Sequence, residues 1–188
     1  MNGRFHSLFE TAIGTCGVAW STRGIVGLQL PESNDAATEK RLSAKAQGSV
    51  PGVLPEAVEK AIADVRHYLA GNQVDFAPLT LDLDGIETFN RMIYGLLRAI
   101  GWGRTTTYGE LARRAGSPEA ARAVGQAMGS NPIPIIIPCH RVLAKGHRIG
   151  GFSAYGGTMT KERLLALEGV GPDAPLLPLF PPAESRWG

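Results

Sequence analysis

Cysteine is nearly absent from this chain of 188 residues, which has only Cys16 and Cys139. Two cysteines are too few for a disulfide framework, and in a reducing compartment both are expected as free thiols. No Cys/His grouping has zinc spacing: Cys16 stands alone, and His6, His67, His140 and His147 are scattered, so no metal site is expected. No apolar run approaches the roughly 18 residues of a membrane span, so no membrane partner is expected. The start, Met1-Asn2-Gly3-Arg4-Phe5-His6, lacks the apolar centre of a signal peptide, which reads as a cytoplasmic protein. The glycine-rich stretch Ile149–Gly157 has neither the glycine spacing nor the Lys-Ser/Thr of a phosphate-binding loop.

Apolar side chains are plentiful, at 44%, enough to bury a core. The net charge is only +2, but it is unevenly spread. Between Arg104 and Arg148, seven Lys/Arg against two acids leave +5, and twelve against fifteen leave −3 elsewhere. That asymmetry fits a phosphate-binding face, and equally a solvated basic surface.

The first third reads as strands and turns. Glu10 to Ile13, a Gly14-Thr15 turn, Cys16 to Trp20, a second turn at Ser21–Gly24 and Ile25 to Leu30 predict a three-stranded meander. Cys16 falls within a strand and reads as a small buried thiol. A short surface helix is expected over 35–47. A clearer one begins at Pro55, with Val58, Ile62, Val65 and Leu69 on one stripe and Gly71-Asn72 at its end. Alternation at Val74–Phe76 and Leu79–Leu83 predicts another strand. Near Gly85 the pattern turns helical, and a domain boundary is placed there.

Helices are then expected over 86–100, with Phe89, Ile93, Leu96, Leu97 and Ile100 inward, and over 108–115, capped by Thr106 or Thr107. Gly116 ends the latter. Ser117 is expected to cap a third, with Pro118 in first position, running to about Gly129. Two short helices about a glycine turn have helix-turn-helix spacing. The second, around Ala120-Ala121-Arg122-Ala123-Val124-Gly125, carries little with which to read a major groove. Small residues suit close approach to a minor groove, with Arg122 reaching between bases; the alternative is an alanine-rich helix packed on its neighbour. Thr158 is expected to cap a last helix over 159–168, ended by Gly169.

The stretch Asn131-Pro132-Ile133-Pro134-Ile135-Ile136-Ile137-Pro138-Cys139-His140-Arg141-Val142 stands out. Prolines hold φ near about −65° and remove donors, and each residue before a proline is pushed extended. The expectation is a stiff, extended, buried rod that delivers Cys139 to a fixed place and continues extended through Leu143. A free thiol titrates near about 8.5, so attack at neutral pH needs activation. His140 can relay the proton, through a bridging water unless the chain turns there. A carboxylate would orient it, and the candidates are Glu110, Glu119, Glu162 and Glu168. Glu168, at the end of the last helix, can reach back.

This stretch resembles the active-site signature of the O6-alkylguanine-DNA alkyltransferases. Thr107-Tyr108-Gly109-Glu110-Leu111-Ala112, the helix Ala120–Gly125 and Lys161-Glu162-Arg163-Leu164-Leu165-Ala166-Leu167-Glu168-Gly169 match in order. The likeness is strong from about Thr88 to Gly169, and weaker over the N-terminal strands. It implies an α+β chain, with a small strand-rich, ribonuclease-H-like domain over 1–84, a helical DNA-binding and transfer domain with a helix-turn-helix over 85–170, and a proline-rich tail over 171–188.

The resemblance further implies irreversible, stoichiometric transfer of an alkyl group from O6 of guanine to Cys139, without a cofactor, by a monomer on double-stranded DNA. His140 would act through water, oriented by Glu168. Asn131 would brace the turn before the active-site segment, and Tyr108 would help rotate the nucleotide out and donate a proton toward the guanine. Arg122 would replace the extruded nucleotide from the minor groove, with Ala120, Ala121, Thr107, Gly125, Tyr108 and Arg141 along the DNA. The pocket residues implied are Pro134, Phe152, Ser153 and Tyr155, with either Phe152-Ser153 or Ala154-Tyr155 as the pair lining the base. The zinc ligands and the cysteine-rich phosphotriester-repair domain of some members are not evident. Leu176-Leu177-Pro178-Leu179-Phe180 has a faint likeness to sliding-clamp-binding peptides. Two other readings compete: a lesion-sensing DNA-binding module, and a cysteine hydrolase with a Cys-His-Glu arrangement.

Overall fold

A computed structural model describes residues 3–171, so the clamp-like tail peptide lies outside the described residues. The chain is mixed α+β, strand-rich first and helical later. It opens with the antiparallel meander β1 (Phe5–Thr11), β2 (Gly14–Ser21) and β3 (Gly24–Gln29). The first turn is at Ala12-Ile13, two residues before the expected glycine turn. The Thr11 hydroxyl closes it, donating to the Gly14 carbonyl at 2.6 Å and accepting from the Ile13 N–H at 3.3 Å.

Both faces of β2 are covered from Cys16 onward. Period-2 alternation sends Cys16, Val18 and Trp20 into the main core and Ala19 toward Leu42 and Ala46. Those two lie on and just after α1 (Asp35–Lys45), which is capped by the Asn34 side chain accepting from the Ala37 N–H. α1 comes so close that a Cβ on Gly17 would lie 2.7 Å from Leu42 Cδ2. A short strand, β4 (Val50–Pro51), joins parallel to β1, giving the order β3-β2-β1-β4. On the core face lies α2 (Glu56–Leu69), burying Val58, Ala61, Ile62, Val65, Tyr68 and Leu69 at helical spacing.

The strand expected over Val74–Phe76 and Leu79–Leu83 does not form. Only Leu81 bridges Ile25, through Ile25 N–H to Thr80 O at 3.0 Å and Asp82 N–H to Ile25 O at 2.8 Å. Val74, Phe76 and Leu79 are all buried. Their alternation records burial against the core rather than sheet pairing, and the Asp75 side chain turns the backbone by accepting from the Ala77 N–H at 2.9 Å.

α3 (Thr88–Arg98) buries Ile93, Tyr94 and Leu97. β5 (Thr106–Thr107) leads into α4 (Tyr108–Arg114), with the Thr107 hydroxyl capping the Glu110 N–H at 3.2 Å. Gly116, at φ 72°, ends α4. Ser117 makes no side-chain cap; Pro118–Ala120 instead forms a 3₁₀ turn leading into α5 (Ala121–Gly129). β6 (Val142–Leu143) pairs parallel with β5. The last helix, α6 (Thr158–Leu167), is entered through Gly157 at φ 53°, so Thr158 is its first residue and not its cap. One apolar cluster runs from Phe9 through Tyr68, Ile93 and Val124 to Leu164, so the core is continuous across Gly85. Among the described residues, no helix is long and apolar enough to cross a membrane.

Candidate active site

The proline-rich stretch is buried as expected, but it is not an extended rod. It folds back on itself where Pro134 bridges Ile137, with Ile137 N–H bonded to Ile133 O at 2.9 Å. Ile135 sits at φ 72°, a strained region for a β-branched residue. Ile133, Ile135, Ile136 and Ile137 are each at most 2% exposed, so the core holds the turn in place. Asn131 staples it: its amide donates to Ile137 O at 2.8 Å and its carbonyl accepts from Ile133 N–H at 3.0 Å. Prolines restrict the backbone without dictating extension; the side-chain amide and four buried isoleucines choose the fold-back.

Cys139–Arg141 then forms a 3₁₀ turn, not an extended continuation. Burial pushes the Cys139 thiol up from its ordinary value, while a hydrogen bond from Asn131 and the charge of Lys161 pull it partly down. The resting group is therefore a thiol that must lose its proton during reaction. His140 is completely buried. Its Nε2 lies 2.7 Å from Glu168 Oε1 and 3.0 Å from the Tyr68 hydroxyl, and its Nδ1 has no partner among the described residues. An acceptor carboxylate at Nε2 assigns the proton there and leaves the Nδ1 lone pair as the base. Burial, the first cause, holds His140 below its ordinary value, so it is neutral at pH 7.

Of the four candidate carboxylates, Glu168 alone meets the histidine. It follows α6 as the C-cap and is completely buried. Burial raises its carboxyl, but hydrogen bonds and charge from His140 and Arg141 outweigh that and hold it down to about 2. The Gly103 N–H adds a bond at 3.2 Å. Arg141, expected along DNA, is instead spent inside the protein. Its guanidinium binds Glu168 at 2.8 to 3.1 Å and the Ile100 carbonyl, at 6% exposure.

Cys139 lines a cavity of about 290 Å³ with Tyr108, Gly125, Met128, Gly129, Gly151, Phe152 and Ser153. Of the two loop alternatives, Phe152-Ser153 faces this space. Tyr155 is 56% exposed and Pro134 lies in the fold-back, so neither lines it. Burial, the first cause, pushes the Tyr108 phenol up, which keeps it protonated as a donor. Gly150 lets the loop come close, since a Cβ there would be 3.3 Å from the Tyr108 oxygen. Arg41 of α1 donates to the Ser153 carbonyl at 2.7 Å, so the first half of the chain also holds this wall. A second cavity, about 350 Å³, lies against Ile135, Ile136 and Pro138. Cys139 does not reach it, so the smaller one is where the thiol can act.

Arg122 is exposed on the first turn of α5, while Ala120 and Ala121 are partly buried against the core. Thr107 is taken up as the α4 cap. Lys145 and Arg148 are exposed in the basic turn, where Gly146 has φ 74°. Two participants escaped the sequence. Tyr68 belongs to an ordinary buried stripe and carries no signal of its own. Lys161 reads as one more charge on a helix, yet it is completely buried, with Nζ donating to Val142 O at 2.5 Å. Among the described residues, no group of three His, Cys, Asp or Glu could hold a metal ion.

Residues 88–170 match the sequence profile of the 6-O-methylguanine DNA methyltransferase DNA-binding domain. A methylated-DNA–protein-cysteine methyltransferase of Mus musculus is 35% identical over 88% of this chain and 81% of its own length. Its namesake in Methanothermobacter thermautotrophicus is 34% identical over 82% and 79%. The crystal structure of Mycobacterium tuberculosis OGT in complex with DNA superposes with a TM-score of 0.69 at 32% identity, covering 87% of this chain and 92% of that one.

Proposed function

This chain belongs to the methylated-DNA–protein-cysteine methyltransferase family, and on that premise we propose that Cys139 is its alkyl acceptor, activated by His140 and Glu168. The protein repairs DNA by transferring alkyl groups to its own cysteine. Cys139 loses its proton, through one water, to His140 Nδ1, and the Nε2–H bond to Glu168 stabilises the resulting imidazolium. The sulfur attacks the alkyl carbon, the carbon–O6 bond breaks, and the electron pair stays on guanine. Tyr108 donates a hydrogen bond toward the ring as charge develops there. The product is a thioether with no route to hydrolysis, so each molecule acts once.

A buried thiol cannot reach a base inside a duplex, so the nucleotide must be rotated out. α4 and α5 serve as a helix-turn-helix that enters the minor groove, with Arg122 filling the vacated stack. Lys145 and Arg148 supply phosphate contacts that weaken with salt. A boundary near Gly85 separates a ribonuclease-H-like part from a transfer part that share one core, and the protein acts as a cytoplasmic monomer. The observation that carries the reading is the position of Cys139 between a cavity and a buried His140–Glu168 pair. Incubation with an oligonucleotide containing O6-methylguanine should add one methyl group to Cys139 by mass spectrometry. The label on Cys16, or full transfer in Cys139→Ala, overturns it.

A further inference from the structure

Tyr68 sits on α2, a helix of the strand-rich half, far from the catalytic segment in sequence. Its hydroxyl donates to Glu168 Oε1 at 2.6 Å and lies 3.0 Å from His140 Nε2. The ring is completely buried. It meets Trp102 edge-on at 5.5 Å and Phe76 at 5.7 Å, which fix the direction of the hydroxyl. Burial, the first cause, and the charge of Glu168 push the phenol well up, so it stays a donor at any working pH.

We infer that Tyr68 is a positioning residue for alkyl transfer: its hydroxyl shares Glu168 Oε1 with His140 and so sets how strongly the carboxylate supports the histidine as a base. This rests on the proposed roles of Cys139, His140 and Glu168. Two effects of the hydroxyl oppose each other. As a donor it disperses the charge on Oε1, which lowers the affinity of His140 for a second proton. As a second acceptor near the Nε2–H it favours that tautomer and raises proton affinity slightly. The 2.6 Å bond to a carboxylate is the stronger of the two. The net result adds to burial in keeping His140 unprotonated at neutral pH, with its Nδ1 lone pair held in one direction. The first half of the chain is thereby a part of the transfer machinery and not only a support.

The test is single-turnover transfer from an O6-methylguanine oligonucleotide, followed across pH by the mass of Cys139. Tyr68→Phe keeps the ring contacts and deletes one oxygen. It should move the acid limb of the profile to higher pH and slow transfer at neutral pH about tenfold, because part of His140 is then protonated and its ring is less firmly directed. Affinity for the DNA should not change. In a Glu168→Gln background the same change should have little further effect, because the shared oxygen is the point of action. Replacing Tyr68 by a fluorinated, more acidic tyrosine keeps the fold and should move the acid limb the other way, to lower pH. A Tyr68→Phe protein that melts earlier but keeps the wild-type rate and profile overturns the inference, as does a profile indifferent to fluorination. If the wild type itself places no methyl group on Cys139, the underlying reading fails instead.

Discussion

Each half of the chain buries one cysteine, and each holds a buried histidine against a carboxylate, but only in the second half do the cysteine and histidine adjoin and does the cysteine face a cavity. In the sheet, Cys16 is completely buried, and burial pushes it to about 12 with only a 3.7 Å contact to Thr11 against it. In the 3₁₀ turn, Cys139 is 5% exposed, faces a cavity and has Asn131 and Lys161 acting on its sulfur. His6 spends both ring nitrogens, on Ser49 at 2.9 Å and on Glu39 at 3.1 Å. Among the described residues, His140 spends only Nε2 and keeps Nδ1 without a partner. Glu39 is 44% exposed, and Glu168 is wholly buried under four groups that donate to it. Burial alone makes a thiol inert; reactivity needs an open side, a free base nitrogen and a charge that water cannot screen.

The sharpest break of this comparison is to exchange the roles of the cysteines. Cys139→Ala should lose transfer completely, while Cys16→Ala should keep it and lose about 1 kcal/mol of stability from a small cavity; mass spectrometry and urea melts read the two. Next come the carboxylates. Glu168→Gln leaves Arg141 buried without its partner and should cost roughly 3–5 kcal/mol, with transfer slower on the order of 100-fold. Glu39→Gln should stay within about 0.5 kcal/mol and leave transfer unchanged. Equal effects at the two positions would end the contrast between them.

Acid probes the His140–Glu168 network directly. His140 and Glu168 both have folded values below their ordinary ones of 6.5 and 4.5, so the unfolded chain binds protons first. Stability is therefore complete above about 6.5, starts to fall as His140 resists charging, and falls again from 4.5 toward about 2 as Glu168 resists neutralisation. Urea midpoints against pH should show both steps, and Glu168→Gln should shrink the lower one, to which Asp82 and Asp84, also held below their ordinary values, still contribute.

Arg122→Ala should slow reaction on duplex DNA by about tenfold and leave reaction with a free O6-alkylguanine base unchanged. A uniform loss would make Arg122 an ordinary phosphate contact. The smallest effect belongs to the loop: Tyr155→Ala should leave the free-base rate unchanged, whereas Phe152→Ala, which removes a cavity wall, should lower it severalfold.

Much of this was legible in the sequence. Period 2 and period 3.6 located the meander and the stripes of α2 and α3, because burial on one face leaves a repeat in the chain. The meeting of His140 with Glu168 was readable only as one of four carboxylate candidates, because a helix end near the cysteine segment can reach back while the other three positions could not be placed without the fold. The proline-rich segment misled because φ limits do not specify direction; the Asn131 bonds across the fold-back and the packing of four isoleucines decide that. The strand expected near Leu81 failed for a related reason, since alternation reports burial and not a pairing partner.

By itself the sequence determined the parts: one thiol in a proline-held segment, one histidine next to it, a glutamate at a helix end and an excess of basic residues between Arg104 and Arg148. Only the tertiary structure decided their chemistry. It turned Arg141 inward to Glu168, chose Phe152 over Tyr155 for the cavity and brought Tyr68 to a carboxylate a hundred positions away. Which groups share one buried oxygen depends on how distant elements pack, and no local pattern in the chain records that contact.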